Sequence, residues 1–290
     1  MTRWLLVALA VAGGCGKRRT PTTAPVQHDA GDAGLAHDAD ADADAEPARD
    51  AAALDAAPLA GTGSGYRVVA LTDDEVGAVK VTVTWPTAPA AARRSPGRTT
   101  CGGARPPQAR IATLHGVADV VIVLDLDHGK PAAPAAPVRV TVRDCAVAPT
   151  VALAPGLGGA LVVDNGAVEP ATVTITAVGP AWRLPPTATA LARAQLPVLG
   201  HAVAVTLAEA GAIEVGLAGE ADPAVVIAPP HPYVAITDAT GAARLTRVPT
   251  GTYPVRAWLP GRAGAAARTV TGEVTVVAGD EAALALELTP

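Results

Sequence analysis

Two cysteines, Cys101 and Cys145, are the residues whose chemistry is easiest to define from this sequence. Thiols bind metals, exchange electrons or form disulfides, and metal or redox pairs usually occur as Cys-x-x-Cys or beside histidine. Neither cysteine has such a neighbour. In an exported protein an even pair favours a disulfide. Cys101–Cys145 is therefore the predicted bridge, and a thiol or metal pair is the alternative.

Histidines are the next candidates for chemistry. Four of them lie after the N-terminal region, namely His115, His128, His201 and His231. None has a second ligand-type residue at i+2 or i+4, where two side chains would share one face of a strand or a helix. We expect each to form a local hydrogen bond in a turn or at a strand end. The sequence thus predicts no metal site and no cofactor.

Nucleophilic and phosphate chemistry also lack their usual residues. The only serine after residue 65 is Ser95, in a loop rich in Pro and Arg, and no Gly-x-Ser-x-Gly motif is present. The glycine-rich turn Gly156-Leu-Gly-Gly159 would need a following helix to bind phosphate, but the next residues resemble a strand. The sequence therefore predicts a protein that is not an enzyme.

Acidic residues are concentrated near the N-terminus. Residues 28–55 contain nine Asp or Glu and one Arg, whereas 18 acids and 17 Lys or Arg occur from residue 65 onward. This second part has no basic excess of the kind that nucleic-acid binding needs. Like charges and few aromatic residues favour an extended, solvated chain. Residues 16–65 are therefore predicted to be a disordered tether, and no nucleic-acid partner is expected.

A calcium loop is the alternative for the acidic run. Asp38, Asp40 and Asp42 match the first, third and fifth positions of an EF-hand loop. That loop also requires a glycine and a final glutamate, where this chain has Ala43 and Arg49. The sequence therefore favours the tether over a calcium site.

The first 15 residues have the features of a bacterial signal peptide. Arg3 precedes an apolar run that is too short to span a bilayer, and Ala-Gly-Gly then leads into Cys15. This is the pattern of a lipoprotein signal, in which the cysteine becomes the lipidated N-terminus. Gly16 stands where an inner-membrane signal has Asp, which favours the outer membrane, facing the periplasm or the cell surface. An ordinary secretory peptide cut nearby is the alternative.

Strand-like segments fill the chain from Tyr66 to Pro290, separated by clusters of Pro and Gly. The predicted strands are Ala78–Trp85, Ala118–Leu126, Val138–Arg143, Ala160–Val163, Ala171–Thr176, His201–Thr206, Val225–Ala228, Thr271–Val277 and Ala282–Leu288. Thr187–Gln195 is a candidate short helix. Many short strands with turns between them predict an all-β sandwich or barrel.

A β-meander is predicted near the C-terminal end. Its strands are Tyr233–Thr237, Ala243–Val248 and Tyr253–Trp258, joined by turns in which Gly241 and Gly251 favour positive φ. Together with His231-Pro-Tyr233, these turns and strands resemble the carboxypeptidase regulatory-like, or prealbumin-like, β-sandwich. The resemblance implies a small sandwich at 231–290.

A wider resemblance covers roughly residues 77 to 290. The matching segments are Gly77–Trp85, Cys101-Gly102, Gly116–Leu124, Asp144-Cys145, Ala148–Leu153 and Asn165–Thr174. With the C-terminal motif, they resemble bacterial cupredoxin-like envelope proteins of the plastocyanin-like or methylamine-utilisation type. This implies a cupredoxin-like sandwich at 66–230 before the prealbumin-like one. The opening strand near Gly77 is expected to pair with the C-terminal sandwich.

The copper ligands of that family lack counterparts in this chain. Where the family supplies histidines and a Cys-x-x-His-x-x-Met segment, this sequence has Thr150, Ala171, Thr174, Gly216, Gly219 and Asp222. A blue-copper site needs two imidazoles and a thiolate, and Gly and Ala have no donor atom. The resemblance therefore implies a copper-free frame.

The functional prediction follows from the missing ligands and the signal peptide. We expect a non-catalytic, lipid-anchored module of the cell envelope with a binding or structural role. It would contact the membrane through its lipid, and the expected partner class is an envelope protein or a polysaccharide. The alternative, which the family implies, is a periplasmic copper-binding or electron-transfer protein.

Overall fold

The computed structural model describes residues 65–179, 188–262 and 264–289, and their regular secondary structure is almost entirely β-strand. The prediction of an all-β fold is therefore confirmed. The predicted signal peptide, Cys15 and all of the predicted tether except Gly65 lie outside the described residues. Within them, a short 3-10 helix spans Asp73–Glu75 and one helix, α1, spans Ala90–Arg93.

Most strands follow one another with short connections, but residues 85–120, which include α1, form one long connection. In chain order they are β1 Arg67–Val68, β2 Val76–Thr84, β3 Val121–Leu124, β4 His128–Gly129, β5 Val138–Arg143, β6 Ala146–Ala148, β7 Val151–Leu153, β8 Ala160–Asn165, β9 Ala171–Ala177, β10 Thr189–Leu196, β11 Ala202–Thr206, β12 Gly211–Leu217, β13 Ala224–Ala228, β14 Val234–Ile236, β15 Ala242–Pro249, β16 Gly251–Leu259, β17 Arg268–Val276 and β18 Glu281–Glu287.

Strands β5 to β13 form one two-sheet unit, which we call the middle sandwich. Its sheets have the orders β10-β9-β12-β13-β7 and β11-β8-β5-β6. Alternate residues of both sheets point inward, including Val140 and Val163 from one sheet and Ile175, Val215 and Val226 from the other. This period-two burial is what the alternating sequences of β5 and β9 predict.

The remaining long strands form a second unit, the terminal sandwich. Its sheets have the orders β14-β3-β16-β17 and β15-β2-β18. Strand β2 pairs antiparallel with β15 and parallel with β18, so the expected pairing of the opening strand with the C-terminal sandwich is confirmed. Strand pairing therefore crosses the boundary that the sequence places between residues 230 and 231. The middle sandwich lies between two parts of the terminal one in the chain.

A third apolar cluster joins the two sandwiches. The strand β3 turns Ile122 and Leu124 into the core of the terminal sandwich, while Val121 and Val123 face the opposite way. There they meet Ile227 of β13, within a cluster that also contains Val151, Ala212, Val225, Val234 and Trp258. Because β3 and β13 are buried on both faces, their sequences are continuous apolar runs rather than alternating ones.

The three strands and the turns of the predicted meander are present, but the meander itself is wrong. Strands β14, β15 and β16 lie in the predicted segments, yet β14 and β16 both pair with β3, and β15 pairs with β2 in the other sheet of the terminal sandwich. The chain thus changes sheet at each turn, where Gly241 and Gly251 have φ values of 83° and 148°. A Cβ on Gly241 would lie 2.6 Å from the backbone of both Val83 and Val117. Only glycine therefore fits this turn, since it must tolerate both the left-handed backbone and the close approach.

The helix predicted at Thr187–Gln195 is wrong. Residues Thr189–Leu196 form β10, which pairs antiparallel with β9 from Ala177 to Ala171. Ala192, Ala194 and Leu196 pack towards the core of the middle sandwich, and Arg193 and Gln195 alternate with them. The high helix propensity of alanine is overridden by this pairing and by burial of every second residue.

Candidate functional site

The two predicted bridge cysteines come together. Cys101 lies in the loop after α1, Cys145 lies in the turn between β5 and β6, and their Cα atoms are 5.5 Å apart. This separation lies within the range of a disulfide. Asp144 and Cys145 both have left-handed backbones, with φ of 53° and 56°. The pair therefore connects the loop that precedes β3 with a turn of the middle sandwich.

Of the positions at which the sequence resemblance places copper ligands, Gly216 and Thr174 lie together, and neither supplies a copper ligand. Gly216 of β12 lies directly opposite Thr174 of β9. A Cβ on Gly216 would lie 2.9 Å from the hydroxyl oxygen of Thr174, so this hydroxyl fills the space of a side chain at 216. Gly219 has a left-handed φ of 86°. The residues present do not fit copper, since Gly216, Gly219 and Ala171 have no donor atoms.

Metal-type donors are spread out in the part of the chain that the structure describes. No three side chains of His, Cys, Asp or Glu converge there in a way that could hold an ion.

Across residues 65–179, 188–262 and 264–289, every helix is too short or too polar to cross a bilayer.

Two of the four histidines, His128 and His231, make the local contacts expected of them, whereas the partner of His115 is 22 positions away in the sequence. Nδ1 of His115 lies 3.3 Å from Arg93 Nη2, and Nδ1 of His128 lies 2.7 Å from Asp127 Oδ1. His231 Nδ1 accepts a hydrogen bond from the backbone N–H of Tyr233, 3.3 Å away. His201 is exposed before β11.

An ionic cluster that the sequence did not predict lies where the two sandwiches meet. The carboxylate of Asp119 accepts two hydrogen bonds from Arg110, and Thr150 Oγ1 donates to it at 3.3 Å. The buried guanidinium of Arg262 donates from Nη2 to the backbone oxygen of Thr150 at 2.5 Å. Burial lowers the pKa of Arg262, although Asp119 and Asp222 oppose this effect. The hydrogen bonds of Asp119 and Arg262 to Thr150 link the two sandwiches beside a small cavity of about 20 Å³.

A larger space, which we call the junction groove, opens between the sandwiches near His231. Its volume is about 330 Å³. It is lined by Lys130, Pro131, Ala133, Leu153, Ala154, Pro155, Pro229, His231, Pro232 and Val234. The lining comes from the segment after β4, the end of β7 and the connection from β13 to β14. Such a space is of the size and apolar character of small-ligand sites.

Two tyrosines, Tyr66 and Tyr233, pack against His231 next to the junction groove. The ring of Tyr66 lies 5.6 Å from that of His231 and 6.5 Å from that of Tyr233. Tyr66 donates its hydroxyl to the backbone oxygen of Lys130 at 2.6 Å, and Tyr233 donates to the backbone oxygen of Arg247 at 2.8 Å. The backbone N–H of Lys130 donates to the Tyr233 hydroxyl at 3.0 Å. Two of these bonds hold the backbone of Lys130, and the ring of His231 packs against both tyrosine rings.

Burial sets the protonation of these groups. Desolvation lowers the pKa of His231, while the Asp125 carboxylate acts in the opposite direction. Desolvation and then the neighbouring Arg247 lower the pKa of Lys130. Burial, followed by interaction with Tyr233, raises the pKa of Tyr66. His231 is therefore a neutral imidazole at neutral pH.

Sequence reasoning identified His231 as part of a turn motif but did not predict the junction groove. Its four prolines come from three separate segments, and only the fold brings them together. The available signal was local: Pro229-Pro230-His231-Pro232 encloses a titratable ring in residues with fixed φ. Comparison of the chain with protein families, with curated proteins and with solved structures finds no match.

Proposed function

We propose that the chain is a non-catalytic, lipid-anchored module of the bacterial cell envelope, built on a cupredoxin-like frame without copper ligands. Its role is binding or structural, and its residues 231–290 belong to a prealbumin-like sandwich. Anchoring through Cys15 and the outer-membrane location rest on the sequence of residues 1–16.

The observation that carries this proposal is the pairing of Gly216 with Thr174. In the resembled family, these positions belong to strands that supply ligands, and here they are also neighbours across β12 and β9. The Thr174 hydroxyl occupies the space beside Gly216, and a neutral hydroxyl is a poor ligand for a soft copper ion. A frame that keeps these strands but lacks donors supports a role other than electron transfer.

The apolar cluster between the sandwiches supports the same proposal. Val121, Ile227 and Trp258 are each at least nine-tenths buried in it. Together with the ionic cluster at Asp119, this contact joins four sheets into one body. A stiff, extended contact of this kind suits a module that holds a binding surface at a fixed geometry.

Copper titration of the purified full chain tests whether the protein lacks a copper site. We expect no thiolate-to-copper charge-transfer band and no tight stoichiometric binding of Cu(II). One equivalent of strongly bound copper, lost in a His201→Ala or a His231→Ala variant, would contradict the proposal and favour the electron-transfer alternative.

Mass spectrometry of protein extracted from bacterial membranes tests the anchor. We expect a diacylglyceryl group on Cys15 after removal of residues 1–14. The matched control is Cys15→Ser, which should be neither lipidated nor held at the membrane. A Cys15→Ser chain that is still processed and fully membrane-bound would exclude the lipid anchor.

A further inference from the structure

The junction groove has a rigid and mostly apolar wall. Its prolines are Pro131, Pro155, Pro229 and Pro232. The ring of proline fixes φ, so these four residues contribute shape with little conformational freedom to lose on binding. Leu153 and Val234 add aliphatic surface between them. The groove is therefore preorganised for a compact apolar group.

One neutral hydrogen-bond donor lies in this apolar lining. The side chain of His231 is 7% exposed. Its Nδ1 accepts the N–H of Tyr233, so in the neutral ring the proton is on Nε2. Among the described residues none accepts a hydrogen bond from Nε2. Nε2 is not among the buried side-chain atoms that lack a partner, so solvent reaches it, and a ligand acceptor can take the place of that solvent.

One cation belongs to the same lining as this donor. Lys130 lines the groove, and its ammonium donates to the backbone oxygen of Thr246 at 2.6 Å and lies 5.1 Å from the centre of the Tyr233 ring. An ammonium group has three N–H donors, so two are left after the bond to Thr246. None of the described groove-lining residues is Asp or Glu. The lining itself therefore carries one positive charge, while the Asp125 carboxylate lies outside the lining and raises the pKa of His231 against the effect of burial.

These features together complement one class of ligand. A carboxylate would accept from His231 Nε2 and interact with the Lys130 ammonium, while an apolar body would lie against the prolines. The volume of about 330 Å³ is at the lower end of small-ligand sites, which start near about 300 Å³. We infer that the junction groove binds a small carboxylate with a compact apolar body. This inference rests on the proposed function, since it selects binding from the two roles given there.

The first test uses proton–nitrogen correlation NMR on the full chain with para-toluate as the probe. We expect saturable shifts of the His231 ring nitrogens and of the amides of Lys130 and Val234. The neutral isostere para-toluamide should bind at least about tenfold more weakly, because it lacks the charge that Lys130 recognises. An absence of saturable shifts, or equal affinity for the amide, would overturn the inference. Tighter binding of a proline-rich peptide would overturn it in favour of a protein partner.

The second test uses variants of the two lysines that the described part of the chain contains. Lys130→Gln should weaken para-toluate binding by about tenfold, and Lys130→Arg should restore most of it. Lys80→Gln is the matched control, since Lys80 is exposed on β2, away from the groove. Unchanged affinity in Lys130→Gln, or equal loss in Lys80→Gln, would overturn the inference. Because neither test involves lipid or copper, failure here is distinct from failure of the envelope proposal.

Discussion

Arg110 donates two parallel hydrogen bonds to the carboxylate of Asp119, from Nε to Oδ2 at 2.8 Å and from Nη2 to Oδ1 at 2.7 Å. Asp119 is 8% exposed and has a left-handed backbone with φ of 65°. Thr150, in the turn before β7, donates to the same carboxylate. One side chain thus links the start of β3, in the terminal sandwich, to the middle sandwich.

Removing the charge of Asp119 should destabilise the fold. Asn accepts the left-handed backbone and preserves the shape, but Asp119→Asn weakens the bonds from Arg110 and Thr150. Hydrogen bonds to charged groups contribute about 1.5–3 kcal/mol each, and part of this is retained by the amide oxygen, so we expect a loss of about 1–3 kcal/mol. The loss is measured by urea unfolding.

The control for Asp119→Asn is the same substitution at Asp127. That carboxylate pairs with Arg67 at 3.4 Å, and both side chains are 70% exposed. Exposed pairs contribute little because water screens them, so Asp127→Asn should leave the free energy of unfolding unchanged within error. An equal loss in both variants would show that burial at Asp119 contributes nothing.

The buried imidazole of His231 should make stability depend on pH. Its folded-state pKa lies below the ordinary value of 6.5 because burial disfavours the charged ring. As the pH falls through 6.5, the unfolded state takes up the proton first, so the free energy of unfolding decreases towards acid. The stabilising contribution is complete above that value and is lost as the pH approaches the folded-state pKa.

This prediction is checked by comparing urea unfolding of His231→Gln with that of the parent chain over the same pH range. The variant should have a shallower decrease of stability towards acid, whatever its absolute stability. His201→Gln, which changes an exposed ring, should retain the parent slope. Identical slopes in the parent chain and in His231→Gln would exclude His231 as the source.

The predicted bridge between Cys101 and Cys145 should be present in protein exported to an oxidising compartment. The two residues are separated by 44 positions, and a loop of this length stabilises by about 4 kcal/mol in the chain-entropy model. The double Cys101→Ser, Cys145→Ser variant should therefore lose roughly 2–4 kcal/mol in urea unfolding. Non-reducing peptide mapping should recover the two peptides linked. Two freely alkylated thiols in native protein would refute the bridge.

Much of the fold could be predicted because most of the sequence is locally consistent. The alternation in β2 and β5 and the glycines at the two ends of β15 each point to one local structure. The meander prediction failed because strands distant in sequence, β2 and β3, are the partners of β14, β15 and β16. The helix prediction failed at β10 because alanine favours a helix, whereas the alternation of Ala192, Ala194 and Leu196 with Arg193 and Gln195 was the stronger signal.

The junction groove and the ionic cluster could not be predicted in the same way. Asp119 and Thr150 are 31 positions apart, and Lys130 and Tyr233 are 103 apart. Neither spacing has a local meaning. Only the stacking of the two sandwiches, which follows from burial of β3 and β13 on both faces, brings these side chains together. The continuous apolar runs of these strands were visible in the sequence, but the surface that covers them was not.

The last prediction concerns the contact between the sandwiches. Ile227 is fully buried in the apolar cluster formed by β3, β13 and Trp258. Truncating a buried Ile to Ala removes its transfer free energy and leaves a cavity, which costs about 2–5 kcal/mol. Because Ile227 touches both sandwiches, we expect Ile227→Ala to lower the stability of the whole and to retain a single transition in urea. Leu114→Ala, at a side chain that is 86% exposed, is the matched control and should change little. If Ile227→Ala instead gives two separate transitions in tryptophan fluorescence or in far-ultraviolet circular dichroism, the sandwiches are independent domains joined only weakly. A single transition in both probes means that the discontinuous terminal sandwich and the middle sandwich fold as one cooperative unit.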